Sequence, residues 1–117
     1  MPDSNLSLNL VEGSVSFKFT PEAAKSLRAD VATLLESLKV TTVQPGQSKR
    51  PTPKPAMEYR HAGEVFLEIF CNPNIWPSPF AAKVLITLRD ERIRLTTEAE
   101  LTQLVSDLNE FLSNISP

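Results

Sequence analysis

The chain has 117 residues, 41% hydrophobic and 22% charged, which suffices for one core and is short for two, so a single domain over 1–117 is expected. Its 12 Lys and Arg against 14 Asp and Glu leave a formal charge of −2, so no cationic excess exists to neutralise a phosphate backbone and nucleic acid is not an expected partner. No apolar run approaches the ~20 residues that cross a bilayer as a helix, so no membrane-spanning helix is expected. The opening MPDSNLSLNL has neither the basic start nor the apolar run of a signal peptide. With a single cysteine, Cys71, and hence no internal disulfide, a reducing, cytoplasmic compartment is the expectation.

In chain order, Leu6, Leu8 and Leu10 alternate with polar residues, EGS interrupts, and Val15, Phe17 and Phe19 alternate again. The period of two predicts a one-sided β-hairpin over 6–19 turning near Gly13. TPEAAKSLRADVATLLESL then predicts a helix, with Thr20 as N-cap, Pro21 at the first helical position and Glu22 where the macrodipole favours an acid. Ala24, Leu27, Val31, Leu34, Leu35 and Leu38 make its apolar stripe.

Residues 40–57, VTTVQPGQSKRPTPKPAM, carry four prolines and a glycine and read as an extended internal linker. EVFLEIF follows as a strand apolar on both faces, Val65, Leu67 and Ile69 on one side, Phe66 and Phe70 on the other. AKVLITLRDERIRL, 82–95, reads as a second hairpin. An Asp90–Glu91 tip would set Leu88 opposite Ile93 and Ile86 opposite Leu95, placing these four with Val84 on one face. Asp-Glu lacks the glycine of the tightest turns, so a four-residue tip is an equal alternative.

The last element, TTEAELTQLVSDLNEFLSNI, has Leu101, Leu104, Val105, Leu108, Phe111, Leu112 and Ile115 in a broad stripe, and Thr97 and Glu100 have the spacing of a capping box. FKFTPEAA (17–24) also lies over IRLTTEAE (93–100). Either two hairpin-then-helix units echo each other, or the likeness is what strand–cap–helix junctions share. The expected fold is α+β: a mostly antiparallel sheet of about five strands, ordered β-β-α-β-β-β-α, with two helices on one face.

Chemistry is sparsely signalled. His61, in EYRHAGE, is the only histidine, and with Cys71 and an acid it has none of the close spacings of a metal site. A Cys71–His61 nucleophile pair has no support beyond the presence of both residues, and Cys71 continues the apolar alternation of Val65, Leu67 and Ile69, as a buried thiol would. Three glycines, at 13, 46 and 63, make no phosphate-cradling loop. The linker's Lys49, Arg50 and Lys54 read as solvation of a polar segment, and Pro51, Pro53 and Pro55 give no PxxP match. Neither a cofactor nor a metal is expected.

The stretch CNPNIWPSPF, 71–80, holds the only tryptophan and three prolines. Pro73, Pro77 and Pro79 fix φ and push residues 72, 76 and 78 toward extended geometry, so the loop presents Ile75, Trp76 and Phe80 at low entropic cost. Trp76 either plugs one end of the core or anchors a partner. Phe66 and Phe70, opposite the helix-covered face, need a cover of their own. A second copy of the sheet is the favoured cover, giving a homodimer; the rival is the Trp loop and linker folding across that face within one chain.

NIWPSPFAAKVLITLRDERIRLTTEAELTQL, 74–104, resembles uncharacterised small proteins of cyanobacterial and plastid type. The resemblance implies a stromal or cytoplasmic accessory protein, and brings neither a reaction nor site residues. The expected function is a non-enzymatic protein–protein interaction or assembly module with Ile75, Trp76, Phe80, Phe66 and Phe70 as contact residues. The alternative is a small-molecule-binding or minor enzymatic domain with a pocket near His61, Glu64 and Cys71.

Overall fold

The computed structural model describes residues 5–39 and 54–115, and most of the expected linker, 40–53, lies outside them. The first hairpin pairs β1 (Asn5–Asn9) with β2 (Ser14–Lys18) antiparallel. Leu6, Leu8, Phe17 and Phe19 are buried, and Leu10 and Val15 half-buried, so the alternation does select one face. Gly13 turns the chain at φ +95°, a left-handed value that L side chains rarely adopt, and its carbonyl accepts from Leu10 N at 2.9 Å. A bond from Val11 N to the Glu98 carbonyl, 3.0 Å, ties the tip to the main sheet.

Helix α1 (Pro21–Lys39) starts where the sequence places it. Thr20 Oγ1 accepts from Ala23 N at 3.1 Å, satisfying one of the amides a helix start leaves unpaired. Its stripe is buried except for half-exposed Leu35. Removing a side chain such as that of Leu27 from water contributes about 1.5–3 kcal/mol.

Four strands then form one antiparallel sheet in chain order: β3 (Met57–Ala62), β4 (Phe66–Cys71), β5 (Lys83–Arg89) and β6 (Arg94–Glu100), followed by helix α2 (Leu101–Ile115). The architecture is α+β, with six strands among the described residues rather than about five, in sheets of two and four. The added strand is β3. Met57 and Tyr59 are buried and Glu58 and Arg60 exposed, so MEYRHA carries a period of two that its charged residues obscure, and Met57 belongs to a strand instead of to the linker.

Of the two tips open to the second hairpin, the four-residue one forms: Asp90 Oδ1 accepts from Arg92 N (2.8 Å) and Ile93 N (2.9 Å), and Asp90 N donates to the Ile93 carbonyl (3.0 Å). These amides hold the Asp90 carboxyl below the usual range. Leu88 therefore pairs with Leu95 and Ile86 with Thr97, and Ile93 is 64% exposed rather than on the core face.

The capping box also fails. Thr97 pairs with Ile86 inside β6, which runs to Glu100 and passes directly into α2, while Leu101 N donates to the Ala82 carbonyl at 3.0 Å. The echo is thus not structural: Pro21 opens a helix, whereas its counterpart Thr97 is β-branched and has a strand to pair with.

One core joins all elements. Inner-face residues Tyr59, Leu67, Ile69, Cys71, Val84, Ile86, Leu88 and Ala99 are buried with the helix stripes and the hairpin's apolar face. Phe19 lies at its centre, with ring centroids 5.8 Å from Phe17, 5.1 Å from His61 and 6.3 Å from Phe111. Asp107 of α2 is buried and accepts from Asn9 N (2.7 Å), Asn9 Nδ2 (2.9 Å) and Gln103 Nε2 (2.9 Å), which fastens β1 to α2.

Candidate functional site: the open face of the sheet

Pleating sends alternate residues of the four strands to the face away from the helices, and the register arranges them in rows. At one end Ala62, Phe66, Arg89 and Arg94 lie side by side. The middle row is Arg60, Glu68, Thr87 and Thr96, and the next is Glu58, Phe70, Leu85 and Glu98. Lys83 and Glu100 follow beyond it.

Phe70 and Leu85 are direct cross-strand partners, 38% and 42% exposed, so their apolar surface is continuous across two strands. Phe66 is half-buried with the Arg89 guanidinium 4.3 Å over its ring centroid, a cation–π arrangement that leaves the side chain's bulk on this face. In the middle row Arg60 Nε donates to Glu68 Oε2 at 2.7 Å, and Arg60 also reaches Glu58 Oε1 at 3.8 Å. Both partners of the closer pair keep solvent access, so it fixes side-chain positions more than it stabilises the fold.

The tryptophan loop leaves the sheet beyond Phe70 and returns at Lys83. Its stiffness has a second source besides proline. Asn72 Oδ1 accepts from Asn74 N (3.0 Å) and Asn74 Nδ2 (2.9 Å), while Asn74 also donates to the Lys54 carbonyl (2.8 Å) and accepts from Lys54 N (2.9 Å). Lys54 Nζ in turn donates to the Ser37 carbonyl near the end of α1. Pro73–Ile75 form a single 3₁₀ turn. Trp76 is half-buried and packs against the core, whereas Ile75 is 65% and Phe80 85% exposed. The loop therefore divides the two roles considered for it. Its indole backs the core, and Ile75 and Phe80 face solvent.

The residues of the alternative pocket are not brought together. Cys71 pairs with Met57 and His61 with Leu67, so the two sit four residues apart along β3, about 13 Å at ~3.4 Å per residue. The His61 ring is wedged between Phe19 and the Gly63 backbone, where a Cβ at residue 63 would meet Nε2 at 2.9 Å. Glu64 pairs with Lys18 at 3.6 Å on the surface. Burial pushes the Cys71 thiol up to about 11, which disfavours the thiolate a nucleophile requires at neutral pH.

Among the described residues no three His, Cys, Asp or Glu side chains converge to hold a metal ion, and no helix is long and apolar enough to cross a membrane. Among the described residues, clefts of about 260, 190 and 110 Å³ indent the surface. None of these three is lined by His61, Glu64 or Cys71.

Phe66 and Phe70 are legible in the sequence as outward-facing residues, whereas Leu85 is not, because only its neighbours Val84 and Ile86 fall on the expected core face. The signal was available: VLITL is apolar at both parities except for Thr87, as EVFLEIF is at Phe66 and Phe70. No protein-family model matches the chain, and no curated protein or solved structure matches it significantly.

Proposed function

We propose that this chain is a non-enzymatic protein–protein interaction or assembly module that docks through the open face of its four-stranded sheet. The reading rests on one observation: Phe70 and Leu85 form a cross-strand apolar pair on a face that the helices do not cover, with Phe66 on the same face two rows away. An antiparallel sheet with one solvated face ordinarily shows polar residues there, so an apolar cluster rimmed by charge is the pattern of a docking site. Ile75 and Phe80 are the further proposed contact residues, exposed on the braced loop, whose 3₁₀ turn lies against α1. Trp76 supports the loop from beneath.

The test is a double substitution, Phe70→Lys with Leu85→Lys, in affinity-tagged chain exposed to an extract of the cells that make it. Proteins retained by the parent chain should fall by at least about tenfold on the variant, as when hot-spot residues are lost. Its unfolding free energy should change by no more than about 1 kcal/mol, because neither residue belongs to the buried core. Equal retention by both chains would refute the docking face.

A further inference from the structure

The charges on the open face are sorted by row. Arg89 and Arg94 occupy the row at the Phe66 end, with no acid among its four members. Glu58 and Glu98 occupy the row of Phe70 and Leu85, with no base in it. The row between them is neutral, its Arg60 paired with Glu68. The face is therefore cationic at one end and acidic about 13 Å away, four residues along each strand.

We propose that the occupant of this face is a second copy of the chain, packed face to face about a two-fold axis that crosses the strands along the middle row Arg60–Glu68–Thr87–Thr96. The proposal rests on the docking reading above and assigns its partner. Two identical sheets meeting face to face are related by a two-fold lying in the interface plane, and the charges decide its direction. An axis parallel to the strands stacks arginine row on arginine row and glutamate row on glutamate row. An axis across the strands superposes opposite rows, so that Arg94 of each copy faces Glu98 of the other and Phe66 of each faces Phe70 of the other. The Arg89 side chain then lies against Leu85 of the opposing copy, with its aliphatic stem as the contact surface. Such a pairing is isologous and closed, as homodimers are.

Four strands ~4.8 Å apart and about six residues long cover about 400 Å² per copy in projection, about 800 Å² for the pair, which is below the ~1,200 Å² of stable interfaces and in the range of weak, transient ones. The dimer is accordingly of micromolar strength and sensitive to salt.

The experiment is a paired charge reversal, Arg94→Glu in one preparation and Glu98→Arg in another, followed by sedimentation of each chain alone and of an equimolar mixture. Both positions are exposed, so the fold should be retained, and circular dichroism checks that it is. At about 100 μM and low salt the parent chain should be dimeric, and each reversed chain should dimerise at least about tenfold more weakly because like charges then oppose each other. The mixture should regain dimers, since positions 94 and 98 then face each other with opposite charges across a mixed pair, while the Arg60–Glu68 pair on the axis is the same in every combination.

A monomeric parent chain, unaffected single variants, or a mixture that stays monomeric would each overturn the pairing. A monomer in which Phe70→Lys speeds proteolysis of residues 40–53 would assign the face to that segment, and overturn it too. If the pairing fails while Phe70→Lys with Leu85→Lys still loses the proteins retained from the extract, the docking face stands and only the second copy is excluded.

Discussion

Phe19→Ala should lower the unfolding free energy by about 3–5 kcal/mol, the range for deleting a buried aromatic side chain. Phe19 is buried between Phe17 of the hairpin, His61 of β3 and Phe111 of α2, and the residue after it caps α1. Truncation removes edge and tilted ring contacts to three separate elements and leaves a cavity that no single element can collapse to fill. Domains of this size are commonly stable by only about 5–15 kcal/mol, so the loss would take much of the total. Urea denaturation of parent and variant gives the difference directly. A loss under about 1 kcal/mol would mean that Phe19 is not the common contact of hairpin, sheet and helix.

Asp107→Ala should cost about 2–4 kcal/mol, because it strips the partner from a main-chain amide as well as from two side chains. Asn9 N donates to Oδ2, while Asn9 Nδ2 and Gln103 Nε2 both donate to Oδ1. Amide donors can turn to water; the backbone N–H of a paired strand is less free to do so. Asp107→Asn is the sharper variant, since it keeps the shape but turns one acceptor into a donor aimed at a donor. It should recover less than half of the loss, measured by denaturation, and the Asn9 amide should exchange with deuterium faster in both variants. Full recovery by Asn would show that shape rather than acceptor chemistry holds β1 to α2.

Local signals carried most of the fold. The first hairpin and α1 follow from alternation, one glycine and a Thr-Pro start, each of which acts within a few residues. Failures occurred where a distant partner overrode a local preference. Thr97 has the spacing of a cap, but Ile86 offers it a ladder position, and the paired strand prevails over the cap. Ile93 looked like a core residue until the Asp90 side chain claimed two amides and widened the turn.

The site was legible in part for the same reason. Phe66 and Phe70 stand out within one strand, whereas the row order of the charges exists only once three registers are known, and no single segment contains it. Trp76 stands out by its rarity, yet its ring packs against the core, and the exposed members of its loop are the less conspicuous Ile75 and Phe80.

The passage from Glu100 to Leu101 has no intervening residue, so sheet and helix share a continuous run of fixed backbone angles. One extra residue at that point would turn everything after it by about 100° around the helix axis. Leu104, Leu108 and Phe111 would swing off the core together, and the carboxylate at 107 would leave Asn9 behind. Length variation must therefore be far better tolerated at the Asp90–Ile93 tip than at this seam, because the tip ends in solvent and the seam sets the phase of a whole helix.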